Sequence, residues 1–292
     1  MEIALGIIAG VLLVDMVFSH FWLRGGINRP PPTRVTPERW PSVSVVRPVK
    51  GADAGQVENF RAALESDYAG EVETIFIFDG EDDPGYANAA RVVEEHVASG
   101  RRGTARVMTA GEPPERRTGK LHAMIVGGEA ARGELLAFGD SDTRPTPGLL
   151  TDLVATLLAD EKTGCTFAPA IVTSELRTAG DVGYATLLNS MYGSAAARAA
   201  GRSGRLSFIM GQVMVFRREA LEDVGGVACA EGQLVDDMAI GRCLHAAGWR
   251  NVMVKTVLPI IIDRVAMGEF LKLYRKWMLF GRNGLSRGFT WP

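Results

Sequence analysis

Three acidic stretches, far apart in the sequence, carry residue types and spacings that chemistry can use. In "AFGDSDTRP", Asp140 and Asp142 straddle Ser141, so an extended backbone turns both side chains to the same side. Two carboxylates placed that way repel unless a cation sits between them. Hard cations such as Mg²⁺ and Mn²⁺ take oxygen ligands and commonly bridge to a substrate's phosphates. Asp and Ser also form capped turns, so spacing alone decides nothing and position has to. Here the pair follows an apolar run, "ELLAFGD", and faces a second acidic strand end, "FDGEDDP", with Asp79, Asp82 and Asp83. The third stretch, "LVDDMAIGRCLHAAGWR", opens a helix at Asp236 and Asp237, with Met238, Ile240, Leu244 and Ala247 at helical spacing. Carboxylates at a helix start bind free backbone N–H groups and suit the dipole. One of the two can do that while the other faces a cleft, where a carboxylate serves as general base for a hydroxyl nucleophile.

The elements that must position these groups follow from periodicity. "SVSVVRPV", "ETIFIFD", "TARVMTA" and "ELLAFGD" are strand-like. Between and after them, "AGQVENFRAALESD", "PGYANAARVVEEHVA", "GKLHAMIVGGEAA" and "PGLLTDLVATLLAD" have helical spacing, the third interrupted by glycines. Strands alternating with amphipathic helices imply βαβ units on a mostly parallel sheet, an α/β class. Ligands of such sheets bind outside the carboxyl ends of the strands. Asp79 and Asp140 fall there.

The formal net charge is −2, which gives no general basic field, so nucleic acid is not expected as a partner. Cys165, Cys229 and Cys243 lie far apart without a CxxC pair, and the four histidines form no HExxH. That argues against a disulfide framework or structural zinc and fits a reducing compartment. Ile3 to Leu23 has no Lys or Arg and is long enough to cross a bilayer. Asp15 interrupts it at a cost of roughly 2.5–3.5 kcal/mol, which the apolar residues offset. No positive segment precedes it and no A-x-A site follows, against a cleaved signal peptide; a buried helix is the other alternative. Arg24, Arg29, Arg34 and Arg39 come after it, and the positive-inside rule then leaves the body in the cytoplasm on a single-pass anchor, residues 1–24. Residues 25–41, with "NRPPPTRVTPERWP", make a Pro-rich linker, extended and semi-rigid.

The order of motifs resembles a known family. "RPVKGADAGQVENFRAALESDY", "FDGEDDP", "GKLHAM", "FGDSDTRP", "FIMGQVMVFRREALEDVGG" and "VDDMAIGRCLHAAGWR" are similar to the GT-A fold of the family 2-type inverting glycosyltransferases. They are closest to the ceramide glucosyltransferase-like branch, family 21. The resemblance runs from the anchor to about Arg282. It implies a GT-A catalytic domain over residues 42–265, a Rossmann-like nucleotide-diphospho-sugar transferase with an N-terminal transmembrane helix. By the same resemblance Asp79, in the acidic loop with Asp82, contacts the uridine side of a UDP-sugar, and Lys120 lies near the donor nucleotide. Asp140 and Asp142 match the metal site, for Mg²⁺ or Mn²⁺, that holds the diphosphate. Gly211 and Gln212 close the sugar pocket, and Asp237 deprotonates the acceptor hydroxyl, with its neighbour Asp236 kept as the alternative.

Three departures qualify the match. The family motif (Gln/Arg)-x-x-Arg-Trp corresponds to "LYRKW", with Leu273 and Lys276 in the polar positions and Trp277 kept. Lysine retains the charge but not the fork that grips a phosphate, and Arg275 next door is placed to substitute. Ala196, in "YGSAAAR", stands where many members carry a histidine. The hydrophobic C-terminal helices usual in the branch are not reached by Pro292. Residues 266–292 mix Phe270, Leu273, Tyr274, Trp277 and Phe280 with Lys272, Arg275, Lys276, Arg282 and Arg287, a basic amphipathic segment suited to a membrane interface. The expectation is therefore an inverting hexosyltransferase that moves a sugar from a UDP-sugar to a hydroxyl of a membrane lipid: ceramide-like, glycerolipid or hopanoid. A processive polysaccharide synthase and a catalytically silent UDP-binding scaffold are the alternatives.

Overall fold

In the computed structural model the described residues are 28–203 and 206–284, with Gly10, Leu13, Val14, Val17, Phe18, Phe21, Arg24 and Gly25 ahead of them. The expected span Ile3–Leu23 lies largely outside the described residues, as does the chain beyond residue 284. Among the described residues no helix is long and apolar enough to cross a membrane.

The expected alternation is present. It runs β1 (Val43–Pro48), α1 (Gln56–Leu64), β2 (Val72–Phe78), α2 (Tyr86–Ala98), β3 (Thr104–Thr109), α3 (Gly119–Ala130), β4 (Leu135–Gly139) and α4 (Leu149–Leu158). The second half holds β5 (Thr163–Phe167), β6 (Ala170–Val172), α5 (Ala179–Ala185), a π-helix (Thr186–Tyr192), α6 (Gly193–Ser203), β7 (Val213–Arg217) and α7 (Arg218–Glu222). A 3₁₀ turn (Val227–Ala230), α8 (Asp236–Ala246), β8 (Arg250–Met253), β9 (Leu258–Ile260) and α9 (Met267–Gly284) complete it. Among the described residues the main sheet has the order β3-β2-β1-β4-β7-β5-β8. Only β7 runs against its neighbours, so the sheet is mostly parallel. β6 and β9 pair in parallel beside it.

Strand order reverses between β1 and β4, and a crevice opens at the carboxyl ends on such a switch point. Burial explains the strand sequences. β2 ends in five consecutive buried residues, Ile75 among them, and all of β4 is buried, the continuous apolar pattern of strands covered on both faces. Val46, Ile75, Ile77, Met124, Phe138 and Phe216 share one core cluster. Val43, Leu135, Leu149, Leu153 and Val215 share a second. The glycines that interrupt α3 have a packing reason. A Cβ on Gly127 would sit 2.4 Å from Val46 Cγ1, so only glycine lets α3 lie this close to β1. Thr118 caps α3, its hydroxyl accepting from Leu121 N at 3.1 Å.

The Pro-rich stretch is extended, and it runs along the body rather than standing apart from it. Arg29 is buried and donates to the Met253 and Val254 carbonyls at 2.8 and 2.9 Å. Arg34 pairs with Asp152 at 2.7 Å and Arg39 with Glu134 at 2.5 Å.

Candidate active site

Beneath the crevice lies Arg47, in the β1 row next to β4 and almost wholly buried. It donates to the Asp140 carbonyl and to the carbonyl and hydroxyl of Thr143. The guanidinium thus holds the Asp140–Thr143 turn from below. Burial lowers its pKa to about 10, against the raising influence of Asp140 and Asp142. From the other side, Asp140 N donates to the Gln212 carbonyl at 3.0 Å, so the residue just ahead of β7 fixes the turn as well.

Above the turn is a cleft of about 940 Å³. It is lined by Asp79, Lys120, Asp140, Asp142, Gly211, Gln212, Asp236, Asp237, Arg275, Lys276 and Trp277. Every sequence-predicted site residue except Asp82 is therefore brought together. Asp82 is exposed and outside that lining. The β2 register puts Asp79 first past the strand, and Asp82 lies out on the following turn. Asp83 has a structural task, accepting from Gly51 N and Gly85 N at 2.8 Å each.

Lys120, on α3, is the cation at the centre. Its ammonium meets Asp140 Oδ1 at 2.5 Å and donates to the Gly211 carbonyl at 3.4 Å. Burial opposes the charge, but the carboxylates of Asp140, Asp237 and Asp142 outweigh it and raise the lysine above its ordinary value. Asp142 shows the opposite imbalance. Burial, then the charges of Asp140 and Asp53, push its carboxyl up to about 7. Its Oδ1 is buried and has no hydrogen-bond partner among the described residues. An orphaned carboxylate oxygen beside a second carboxylate fits a hard cation, which would supply the missing partner. Among the described residues no three His, Cys, Asp or Glu side chains are grouped to hold a metal ion. Such a cation would need oxygens beyond those of the two carboxylates.

Asp237 closes the far side. Its Oδ2 accepts from Gly211 N at 2.7 Å and its Oδ1 from Met238 N at 2.8 Å. Burial raises its pKa, with Lys120 and these two N–H groups working against the rise. Asp236 accepts from the Thr118 hydroxyl at 2.9 Å, and burial raises it too. The loop at Gly211 needs glycine, since a Cβ there would meet Asp237 Oδ2 at 2.7 Å.

Several cleft residues were not among the expected ones. Lys50 pairs with Asp79 at 3.0 Å, and Asp53 accepts from the Ser141 hydroxyl at 2.8 Å. Both lie just past β1, where the strand-end rule points. Tyr184 and Tyr192 meet the Trp277 ring edge-on, with centroids 5.9 and 5.2 Å apart; helical aromatics carry no such signal in sequence. Leu188, Leu273 and Leu279 line the same cleft and give it apolar surface. The cleft therefore offers charged groups for a polyanion with its cation and apolar surface for a second group.

The family model described as glycosyl transferase family 21 matches residues 3–290. Ceramide glucosyltransferase 3 of Caenorhabditis elegans is 23% identical over 241 residues, covering 82% of this chain and 50% of that one. The chain thus spans about half the length of that curated relative. Among solved structures, the mannosyltransferase PcManGT from Pyrobaculum calidifontis, in complex with GDP-Man and Mn²⁺, aligns with a TM-score of 0.67 at 17% identity, over 100% of this chain and 76% of that one. Glucosyl-3-phosphoglycerate synthase from Mycobacterium tuberculosis, in complex with Mn²⁺ and UDP-glucose, gives 0.51 at 19% identity, over 88% of each chain. At these identities the structural likeness establishes a shared GT-A-type α/β fold.

Proposed function

The chain belongs to glycosyl transferase family 21, and from that premise we propose that it is a hexosyltransferase moving a sugar from a UDP-sugar to a membrane-lipid hydroxyl with inversion. The observation that carries this reading is the Asp140–Asp142 pair, with its orphaned buried oxygen, at the switch point of the sheet. Two structural relatives carry a nucleotide sugar and Mn²⁺, and the name of the curated relative specifies a ceramide acceptor. Both accord with a cleft that carries charged and apolar lining together.

Asp140 and Asp142 would hold Mg²⁺ or Mn²⁺. When bound, such a cation supplies charge neutralisation for the leaving diphosphate. Lys120 adds its ammonium on the same side, preorganised by Asp140 and the Gly211 carbonyl. Lys50 and Asp79, paired at the end of β2, receive the nucleoside. Asp237 takes the proton of the attacking hydroxyl. Its two N–H bonds fix the carboxylate, and each oxygen keeps a lone pair for that proton. Asp236, tied to Thr118, supports the start of α8 beside it. Arg275, Lys276 and Trp277 on α9 flank the leaving-group and acceptor side.

Membrane contact fits α9. Met267, Leu271, Tyr274 and Met278 recur at helical spacing and are all exposed, with Lys272, Arg275 and Lys276 among them. An apolar stripe with a basic rim suits the surface of an anionic bilayer. The N-terminal segment would add a single-pass anchor and leave the body cytoplasmic.

The test is UDP release from a panel of UDP-sugars, with Mn²⁺ or Mg²⁺ and mixed lipid vesicles, in wild type, Asp140→Ala and Asp237→Asn. Lipid-dependent release with one sugar, reduced about 100-fold or more in both variants, is expected. Release that is equal in all three proteins would sink the assignment, and long polymeric product would favour a processive synthase.

A further inference from the structure

Tyr184 has none of the roles assigned above, yet it lines the cleft. Its helix, α5, is pressed hard onto its surroundings. A Cβ on Gly180 would lie 2.2 Å from the Val265 carbonyl oxygen, and one on Gly183 within 2.6 Å of the Phe270 ring. The backbone that carries Tyr184 is therefore fixed, and Trp277 fixes its ring edge-on at 65°. Of the two tyrosines on Trp277, Tyr192 uses its hydroxyl, donating to the Trp277 carbonyl at 3.1 Å. The Tyr184 hydroxyl makes no hydrogen bond among the described residues. Burial, then the charges of Asp142, Asp140 and Asp53, hold its phenol above the ordinary value. It is a proton donor at any physiological pH. The Tyr184 side chain lines the same cleft as Asp53, Asp140 and Asp142, and its O–H is left to bond an acceptor that enters the cleft.

We propose that the Tyr184 hydroxyl donates a hydrogen bond to the distal phosphate of a nucleoside diphosphate bound at Asp140 and Asp142. The proposal rests on the nucleotide-sugar reading and adds a contact to it. As the sugar–oxygen bond breaks, negative charge grows on that phosphate, and a preorganised neutral donor is worth more there than in the ground state. Lys276, the lysine in "LYRKW", supplies charge without a fork; Tyr184 supplies a directed donor in the same cleft.

Tyr184→Phe removes only the hydroxyl and keeps the ring on Trp277. Affinities of the full chain for UDP and UMP, with GDP and GMP as a second pair, are measured by calorimetry in Mn²⁺. Loss of one neutral hydrogen bond weakens diphosphate binding about fivefold, while monophosphate binding changes less than about twofold. Thermal unfolding of the variant controls for the fold. Equal affinities of wild type and variant for both nucleotides would overturn the proposal. So would parallel losses for diphosphate and monophosphate, which mark a structural role. If wild type binds none of the four nucleotides, the donor reading itself falls, and this contact with it.

Discussion

Gly211→Ala is the sharpest test of how the cleft is built. The added methyl would lie 2.7 Å from Asp237 Oδ2, 2.9 Å from its Cβ and 3.0 Å from its Cγ. Unstrained carbon contacts sit at about 3.5–4.0 Å, so the Gly211 loop and Asp237 must part by roughly 0.6–1 Å. The Gly211 N–H···Oδ2 bond starts at 2.7 Å, and that separation takes it past the usual limit near 3.2 Å. A hydrogen bond to a charged group contributes about 1.5–3 kcal/mol. The variant is expected to lose that much stability in a urea titration, and a base displaced by about 1 Å costs on the order of 100-fold in turnover. Gly119→Ala is the control within the same cleft. Its methyl meets the Asp79 carboxylate at 3.5 Å, an ordinary contact, and its stability stays within about 0.5 kcal/mol of wild type. A Gly211→Ala protein as stable and as active as Gly119→Ala would refute the claim that this glycine sets the position of Asp237.

Two further outcomes are expected. Gly127→Ala drives a methyl to 2.4 Å from Val46 Cγ1 and lowers the urea midpoint by an amount worth about 1–3 kcal/mol; adding Val46→Ala relieves the overlap, so the two losses fall short of adding. Asp181 accepts from the backbone N–H groups of Arg177, Thr178 and Val265, which override burial and hold its carboxyl below the ordinary value. A carboxyl lowered on folding adds stability that is full above its unfolded value, near ~3.9, and is lost as pH falls through the folded one. Asp181→Asn therefore narrows the stability gap between pH 7 and pH 3 measured by urea unfolding, and an unchanged gap would mean those N–H groups do not bind the carboxylate in solution.

The parts of the fold that could be read in advance are those fixed by period. The strand runs and helix faces gave the sheet, and the sheet put Asp79 and Asp140 at one edge. What could not be read was the partner of each charge. Arg29, Arg34 and Arg39 follow an apolar segment, so their charge suggested an orientation across a bilayer. The fold uses them to strap residues 28–41 onto the domain, on the Met253 and Val254 carbonyls, Asp152 and Glu134. A sequence shows that an arginine is present and not what it touches. The acidic turn after β2 failed in the opposite way. Its three aspartates look equivalent in sequence, and only the register of the strand end puts Asp79 in the cleft and leaves Asp82 outside. Tyr184 gave no signal at all, because its place depends on the close approach of α5 to α9.

The electrostatics of the cleft argue that it is built for a ligand. Lys120 pairs with Asp140 and also feels the charges of Asp237 and Asp142. Arg47, buried under the same turn, spends its hydrogen bonds on carbonyls and a hydroxyl. Burial raises both Asp142 and Asp237, so each costs free energy to keep ionised in the folded state. The backbone nevertheless commits support here: the Gly211 and Met238 amides bind the Asp237 carboxylate, and the Asp140 amide, bonded to the Gln212 carbonyl, fixes the turn that carries Asp140. Folding gains little from fixing like charges near one another. A site that must take up a cation with a diphosphate, and receive a proton a short way off, gains directly from having them fixed before the ligand arrives, because no reorganisation is then left for the reacting complex.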